Sequence, residues 1–481
     1  MTTQTNFRYV ALADEIQDSI MAGRYRPGDK LPSLRQLHNR LGLSVTTVHQ
    51  AYIELEKRGR VEAREKSGFY VSPLRTNPLP LPRKAEGSSL PSKVNINELA
   101  ETIQADIKAP DILQLGAAVP ARDLMPVKQL ARIMKSMSME ELEADMGTYD
   151  HPAGSPELRR ALARHMLGHS SKVFPRDIVT TNGCLEAVSL CLRAVAAPGD
   201  TILVESPVFH CFLQLIEDLN LYVLEMPGCP DRGMDPKTFE TIVRHNNIKA
   251  CLLNTNFHNP LGSVMSRQAK KSVLDIADAN GLPIIEDDIY GDLYFGTRRP
   301  STFKSLDSKG SVLYCASFSK TLAPGLRAGW TLPGRFREKV IRLKLNTHLA
   351  CPGIAHRVAA RFLETGAYDR HLRRLRNQIK NQASSIAIAI ANHFPLDTRV
   401  TFPRGGMMIW VELNRAVDTM EVYQKARQHK ISILPGRICS SSDRYNHCLR
   451  LNCGIKWDTD LEKGLALLGR LIHAEYKKKG L

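Results

Sequence analysis

The sequence lacks any long uninterrupted apolar segment. No run approaches the roughly 20 apolar residues needed to span a bilayer, and no apolar signal-peptide core lies near the N-terminus. These absences predict a protein without a membrane partner and favour a cytoplasmic location.

The sequence also lacks closely spaced cysteines. All ten cysteines lie at or beyond Cys184, and they form neither a CxxC pair nor a Cys/His ligand motif. Structural zinc sites usually show such spacing, so the sequence predicts no metal site. Dispersed cysteines in a chain of this length are typical of a reducing compartment.

Internal repeats are absent as well, and the composition is that of a globular protein, with 43% apolar and 24% charged residues. A chain of 481 residues is too long for one ordinary core and predicts two or three domains. The net charge is +17, and residues 1–85 hold 14 basic against 8 acidic side chains. This local surplus indicates a nucleic acid partner near the N-terminus, with a solvated basic face as the alternative.

Residues 8–72 show the pattern of a small helical module with two strands at its end. Apolar residues at helical spacing predict a first helix, and two shorter helices follow before the stretch "RVEAREKSGFYV", which predicts two strands and a tight turn. Residues 73–92 are rich in Pro and Ser and predict an extended linker. We therefore assign residues 1–73 to a first domain and residues 74–110 to a linker.

Residues 111–481 predict a second, α/β unit. Short apolar runs such as "TILVES", "LPIIEDD" and "SVLYCAS" alternate with amphipathic segments of helical length. This alternation predicts a mostly parallel sheet flanked by helices on both faces, in a large lobe at about 145–335. The stretch at about 345–481 predicts a smaller α+β lobe.

The third predicted helix could read DNA. Its apolar residues share one face, which leaves short polar side chains exposed at its N-terminal end, where they suit contacts to phosphates and base edges. Arg35, on the preceding helix, could reach a phosphate. A generic three-helix fold without DNA binding remains the alternative. The candidate contacts on the third helix are Ser44, Thr46, Thr47 and His49.

The segment "GRYRPGDKLPSLRQLHNRLGLSVTTVHQAYIELEKRGRVEAREKSGFYVSP" resembles the winged helix-turn-helix of GntR-type bacterial regulators. The resemblance implies binding of double-stranded DNA through the residues just named, with Gly68 at the wing tip entering the minor groove. One position departs from the family, because Val45 stands where arginine is frequent.

Lys320 follows the predicted buried strand "SVLYCAS", so its amine would lie at the carboxyl end of that strand, where ligands bind in open α/β sheets. A surface lysine in a loop is the alternative. Pyridoxal phosphate requires a Schiff-base lysine, a carboxylate opposite the pyridine nitrogen, and a cradle for its phosphate. Asp287 ends another buried strand, and Gly183 stands at a predicted helix N-terminus that favours an anion.

Residues 112–470 resemble the fold-type I aminotransferases, with the family's motifs in the family's order. The matching stretches are "YDHPAGSPELRRALARHM", "NGCLEAV", "ESPVFH", "NTNFHNPLG", "IIEDDIYGDLYF", "SFSKTLAPGLRAGW", "RGGMMIWVEL" and "LRLNCG". The resemblance implies that Lys320 forms the internal aldimine with pyridoxal phosphate and that Asp287 pairs with the pyridine nitrogen.

The same resemblance assigns the remaining contacts of the cofactor site. Asn259 and Tyr290 would hydrogen-bond the ring O3′, and Phe209, which replaces a frequent tyrosine, would stack on the ring. Arg450 would bind the α-carboxylate of an amino acid. Leu261 departs from the threonine usual at its position. The phosphate would be held by Gly183, Cys184, Ser317, Arg327 and, from the neighbouring subunit of a homodimer, Tyr149.

The order of the two domains resembles the MocR subfamily of bacterial transcription regulators. That resemblance implies a homodimeric regulator in which an amino compound, or pyridoxal phosphate itself, binds at Lys320 and changes how DNA is bound. The alternative is a working aminotransferase that carries a DNA-binding appendage, since Lys320, Asp287, Tyr290 and Arg450 are all present. A structural DNA-binding protein with an inactive second domain is a third interpretation.

Overall fold

A computed structural model describes residues 8–64, 67–73, 78–85, 90–106, 111–167 and 173–481. The N-terminal module is a three-helix unit with a two-stranded wing, as the sequence predicts. Its tightly packed centre includes Ile16, Val48 and Leu55. The module consists of α1 (Arg8–Met21), α2 (Leu34–Leu41), α3 (Val45–Lys57), β1 (Val61–Arg64) and β2 (Gly68–Val71).

The turn between α2 and α3 is fixed by local capping. Ser33 begins α2 in a capping box with Gln36, and Gly42 ends it in the left-handed region at φ 65°. Ser44 then caps α3 by accepting a hydrogen bond from the Thr47 backbone N–H at 3.0 Å. The sequence "LGLS" therefore encodes the sharp turn that sets the angle of α3.

The segment after the module is tied to the second unit rather than free of it. The Val400 N–H donates to the Pro80 carbonyl at 2.9 Å, and the Arg83 N–H donates to Glu412 at 2.6 Å. Further along, Ser92 and Val223 exchange two backbone hydrogen bonds at 2.8 and 2.9 Å, so that Ser92 extends one edge of the large sheet. A helix, α4 (Asn97–Asp106), lies within the stretch that we assigned to the linker. The predicted linker residues 74–77, 86–89 and 107–110 lie outside the described residues.

The large lobe is built around a seven-stranded sheet whose order is β4-β10-β9-β8-β7-β5-β6. Five neighbouring strands, from β6 to β9, are parallel, and β10 is antiparallel to both β9 and β4. The strands are β4 (Val179–Thr181), β5 (Thr201–Ser206), β6 (Tyr222–Pro227), β7 (Ala250–Leu253), β8 (Ile284–Asp287), β9 (Val312–Ser317) and β10 (Gly329–Leu332).

Helices surround this sheet, and apolar clusters fill the space between helices and strands. Buried parallel strands read as continuous apolar runs because both faces are covered, which explains why runs such as "TILVES" identified them. The helices of this region are α5 (Val127–Lys135), α6 (Met139–Gly147), α7 (Pro156–Met166), α8 (Cys184–Val195), α9 (His210–Asp218), α10 (Pro236–His245), α11 (Arg267–Ala279), α12 (Arg337–His348) and α13 (Gly353–Glu364).

The small lobe packs an antiparallel sheet of order β11-β12-β15-β14 against three helices. A separate parallel pair, β3 with β13, attaches the start of the second unit to this lobe. The elements are β3 (Leu113–Gln114), α14 (Ala367–His393), β11 (Arg399–Val400), β12 (Met408–Glu412), α15 (Thr419–Gln428), β13 (Ile431–Ser432), β14 (Leu434–Pro435), β15 (Cys448–Asn452) and α16 (Thr459–Lys478).

The N-terminal module docks on the small lobe. The Arg26 guanidinium forms an ion pair with Glu462 at 2.9 Å and lies 5.7 Å from the centre of the Trp457 ring. The Asn392 side chain, near the end of α14, donates to the Met21 carbonyl at 3.2 Å. Within the described residues, no helix is long and apolar enough to cross a membrane.

Candidate functional site

Lys320 lies one turn beyond β9, at the carboxyl end of the parallel part of the sheet. It is partly buried, and its Nζ donates to the Ala118 carbonyl at 2.6 Å. Burial, and then the nearby Arg450 guanidinium, lower the pKa of Lys320 to about 8. A substantial fraction of the amine is therefore neutral near neutral pH, which is the form that attacks a carbonyl group.

Asp287 is the last residue of β8, the strand beside β9. Its carboxylate is buried and accepts hydrogen bonds from the Cys184 thiol and from the Ile289 N–H, both at 3.1 Å. Burial raises the pKa of Asp287 to about 6 even so. A buried carboxylate of this kind gains most from a cationic partner, and a protonated pyridine nitrogen is one.

A cradle for an anion lies at the start of α8. Gly183 precedes the helix at φ 96°, and among the residues that the structure describes no side chain caps the helix there. A Cβ atom at this position would collide with the Arg327 guanidinium, whose Nη2 donates to the Asn182 carbonyl at 2.7 Å. The site combines free N–H groups, the positive end of a helix and an arginine, which suits a phosphate.

The serines of the "SFSK" stretch complete this cradle. The Ser317 hydroxyl donates to Ser319 Oγ at 3.1 Å and accepts from the Ser319 N–H at 3.3 Å. Arg327 Nη1 in turn donates to Ser319 Oγ at 3.3 Å. Ser319 therefore links Ser317 to Arg327, a role that the sequence pattern did not assign to it.

Arg450 lies on β15 with only 1% of its surface exposed. Its Nη1 donates to Asn259 Oδ1 at 2.8 Å and its Nη2 donates to the Gly116 carbonyl at 2.6 Å. Its buried Nε has no hydrogen-bond partner among the described residues. A buried donor without an acceptor is costly, so this guanidinium is arranged for a ligand that brings an acceptor.

Two of the remaining predicted cofactor residues line the same region. Tyr290 is buried, and desolvation raises the pKa of its hydroxyl, which keeps that group protonated. Phe209 is partly buried and lies directly before α9. Tyr149, in contrast, is 81% exposed in the single chain. The structure of one chain therefore does not bring Tyr149 into the pocket.

Sequence reasoning missed His210, which follows Phe209. His210 is buried and its Nδ1 has no hydrogen-bond partner among the described residues. Burial, and then Arg450, lower its pKa to about 3, so the ring is neutral at physiological pH. Only its position next to Phe209 could have suggested a role, because a lone histidine on an apolar helix carries no motif.

The predicted DNA contacts lie on one exposed part of the N-terminal module. Arg35, Thr46 and His49 are exposed, and Thr47 is partly buried. The exposed Ser44 uses its hydroxyl as the cap of α3. Gly68, at φ 102°, begins the second strand of the wing, next to residues 65–66, which lie outside the described residues.

Pyridoxal phosphate fits the residues around Lys320 on three observations. The lysine has a lowered pKa, the buried carboxylate at Asp287 accepts hydrogen bonds only from neutral groups within the part of the chain that the structure describes, and the N-terminus of α8 faces Arg327. When bound, this cofactor supplies an aldehyde that combines with amines and a ring that withdraws electrons.

Comparison with known proteins gives two family matches. Residues 110–465 match the model described as aminotransferase class I and II, and residues 8–71 match the bacterial regulatory proteins of the gntR family. The uncharacterized HTH-type transcriptional regulator YjiR of Escherichia coli strain K12 is 34% identical, with 97% of this chain and 99% of YjiR covered.

Two solved structures resemble the second unit. The multiple substrate aminotransferase of Thermococcus profundus matches with a TM-score of 0.73 and 26% identity, covering 79% of this chain and 95% of that protein. The kynurenine aminotransferase of Pyrococcus horikoshii, solved with PMP, matches with a TM-score of 0.72 and 26% identity. The match covers 79% of this chain and 94% of that protein.

Proposed function

The chain belongs to the MocR subfamily of GntR-type transcription regulators, and we propose that its aminotransferase-like domain senses an amino compound at Lys320 and thereby controls the DNA-binding module. Its cofactor is pyridoxal phosphate. Residues 1–73 form the DNA-binding unit of the proposal, and residues 111–481 form the sensing unit.

The family resemblance and the positions of the residues around Lys320 support the proposed cofactor contacts. Lys320 would provide the amine for covalent attachment, and Asp287 would hold the proton on the pyridine nitrogen. Asn259 has its amide oxygen engaged by Arg450, so its amide nitrogen is the donor that would face O3′ together with Tyr290. Phe209 would stack on the ring. The phosphate would be held by Gly183, Cys184, Ser317 and Arg327.

The observation that carries the proposal is that one helix, α14, contacts both sites. Near its start, Tyr368 OH donates to Thr321 Oγ1 and His371 Nε2 donates to the Thr321 carbonyl, each at 2.8 Å. Thr321 is the residue after Lys320. Near its end, Asn392 donates to Met21 of the DNA-binding module. His371 and Asn392 are 21 residue steps apart, which correspond to about 32 Å along one helix.

The ion pair between module and small lobe is weak enough to be switched. Arg26 and Glu462 expose 37% and 41% of their side chains, and such pairs contribute about 0–1 kcal/mol. Coupling between an effector and a second site is typically about 1–3 kcal/mol. A ligand that shifts α14 by way of Thr321 could therefore release the docked module, provided that it binds the two arrangements with different affinity.

Dimerisation is the second part of the proposal. Helix α6 contains no buried residue, and Met139, Met146 and Tyr149 expose 66%, 67% and 81% of their surface. An exposed apolar strip of this kind is typical of a surface that a partner covers. In a homodimer of this chain, Tyr149 would reach the phosphate of the neighbouring subunit, and two recognition helices would face two half-sites.

Selection of genomic fragments by the full-length protein, followed by footprinting with and without pyridoxal phosphate and a panel of amino acids, tests this function. We expect sequence-selective protection that changes with cofactor or amine. Asn392→Ala should reduce that change while both ligands still bind, whereas Asn377→Ala, on an exposed part of the same helix, should leave it intact. Absence of selective DNA binding under every condition would overturn the proposal.

A second function is favoured by one observation, the co-location of Lys320, Asp287, Tyr290 and Arg450 in a single buried region. This set is what transamination of an amino acid requires. Single-turnover mixing of the cofactor-loaded protein with each amino acid would show conversion of the bound cofactor to its amine form. Lack of conversion across the panel would exclude turnover for those substrates and leave sensing as the role.

A further inference from the structure

A cluster of three different side chains lies beside the phosphate cradle and has no part in the proposed function. Glu186 is in the first turn of α8, His348 ends α12, and Cys351 follows three residues later. Helix α12 packs against α8 and so brings these distant sequence positions together. One nitrogen of His348, the Cys351 thiol and a Glu186 oxygen lie within 4.8 Å of one another.

We propose that Glu186, His348 and Cys351 bind one transition-metal dication, with zinc as the ion that best matches these ligands. Zinc accepts thiolate sulfur, imidazole nitrogen and carboxylate oxygen at about 2.0–2.3 Å. Tetrahedral ligands at those lengths are about 3.5 Å apart, so small side-chain rotations convert the present cluster into a coordination shell. Magnesium and calcium are excluded because they prefer oxygen ligands and avoid sulfur.

Within the cluster, His348 and Cys351 make only long or poorly oriented contacts. His348 Nδ1 is 3.3 Å from Glu186 Oε1, yet this buried nitrogen has no hydrogen-bond partner of acceptable geometry among the described residues. The Cys351 thiol is 3.8 Å from His348 Nε2 and 3.9 Å from the Thr180 hydroxyl. One metal ion can use only one of the two ring nitrogens, and it would satisfy the thiol, the ring and the carboxylate together.

Metal binding at this cluster is coupled to release of a proton. Binding of the dication forms a bond from the Cys351 sulfur to the metal and releases the thiol proton to solvent.

The other charged and polar groups that face the cluster are compatible with a bound ion. The Lys344 ammonium acts on both His348 and Cys351, and its Nζ also donates to the Pro152 carbonyl at 2.9 Å. The negative charges of the thiolate and of the carboxylate outnumber this one ammonium. Asn182 donates to both oxygens of Glu186, at 2.7 and 3.2 Å, and holds the carboxylate in place.

Sequence spacing did not reveal this site. Glu186 is far from Cys351 in the sequence, and the two residues meet only because α8 and α12 pack together. Three protein ligands leave a fourth position open for water or another ligand. The site also adjoins the cofactor cradle, because the Asn182 peptide contacts Glu186 on one side and Arg327 on the other.

Titration of the reduced, metal-free, full-length protein with Co²⁺ tests the proposal. We expect one equivalent to bind, with a sulfur-to-cobalt charge-transfer band in the near ultraviolet, release of one proton, and displacement of the cobalt by Zn²⁺. Cys351→Ser should abolish the band, and His348→Ala or Glu186→Gln should weaken binding about tenfold or more. Cys229→Ser, a partly buried cysteine outside the cluster, should retain the band in full.

A zinc-dependent rise in the melting temperature of the wild type, absent from His348→Ala, provides a second readout should Cys351→Ser fail to fold. Absence of the charge-transfer band in the wild type would overturn the proposal, as would a band that persists in Cys351→Ser. Rapid alkylation of Cys351 by iodoacetamide without any cobalt band would also overturn it, because His348 would then act as a base for the thiol.

Discussion

The Cys184 thiol donates a hydrogen bond to Asp287 Oδ1 at 3.1 Å, and it thereby joins the first residue of α8 to the last residue of β8. The backbone of Cys184 belongs to the proposed phosphate cradle, and Asp287 is the proposed partner of the ring nitrogen. One contact thus fixes the distance between the two ends of the cofactor site. A thiol is a weak hydrogen-bond donor, so it offsets little of the cost of burying the carboxylate charge. A cation at this position would therefore still stabilise the carboxylate strongly.

Asp287→Asn should lower the affinity for pyridoxal phosphate about 10- to 100-fold, the value of one hydrogen bond to a charged group. The apoprotein should be no less stable, because asparagine has nearly the size of aspartate and the substitution removes a costly buried charge. Absorbance titration and thermal unfolding of the apoprotein measure the two effects. Cys184→Ala is the matched control and should weaken binding less, so equal losses in the two variants would contradict the assignment.

Covalent attachment of pyridoxal phosphate should accelerate as the pH rises from 6 to 9, with a midpoint near 8. The neutral amine is the nucleophile, and the pKa of Lys320 is lowered from 10.5 to about 8, so the rate falls progressively as the pH drops below that value. Stopped-flow absorbance checks the profile. Lys320→Ala should show no attachment, while Lys339→Ala, an exposed lysine of α12, should behave as the wild type. A midpoint near 10.5 would contradict the lowered pKa.

Arg450→Lys should reduce the affinity for α-amino acids about 10- to 100-fold, because lysine cannot form the two parallel hydrogen bonds of a guanidinium with a carboxylate. Binding of the corresponding amines, which lack the carboxylate, should change little. Spectral titration with matched pairs of amino acid and amine measures the difference. Equal losses for both members of each pair would mean that Arg450 supports the pocket and does not recognise the carboxylate.

Arg35→Ala should weaken DNA binding to all sequences and reduce the slope of log K against log salt by about 1, as the loss of one phosphate contact does. Fluorescence anisotropy at several salt concentrations measures the slope on a selected site and on a scrambled site. Lys477→Ala, which removes an exposed charge from α16, is the control. An unchanged slope for Arg35→Ala would show that this side chain contacts no phosphate.

A double-mutant cycle on Arg26→Ala and Glu462→Ala should give an interaction energy of about 0–1 kcal/mol in thermal unfolding, since the pair is exposed. Each single variant should also weaken the docking of the module before any ligand binds, because it removes one of the contacts to the small lobe. DNA affinity should then respond less to the effector than in the wild type. Arg24→Ala, exposed on the same turn, is the control that should keep the full response.

The sequence predicted the parts of the site that depend on local pattern. Lys320 and Asp287 were identifiable because each follows a short apolar run, and parallel strands deliver their carboxyl ends to one edge of a sheet. Helix α3 was identifiable for a similar reason, because Ser44 and the apolar spacing of α3 define its start and its buried face. In these cases each feature is set by residues that lie within about ten positions of one another in the sequence.

Other features could not be predicted because they join residues far apart in the chain. The contact of His371 with Thr321, the linking role of Ser319 and the cluster of Glu186, His348 and Cys351 depend on how helices and loops meet after folding. His210 was missed for the same reason, since its burial and its unpartnered nitrogen become visible only when the pocket is formed.

The anchoring of the chain at Pro80 limits how far the DNA-binding module can move away from the second unit. Only eight Cα-to-Cα steps separate Ser72, the end of the winged module, from Pro80, and a fully extended chain of that length reaches about 26–29 Å. The module is therefore on a short tether, held near its own sensing unit at a high effective concentration. In a dimer, two such tethers would limit the operators that can be bound to those whose half-sites lie within a narrow range of spacings.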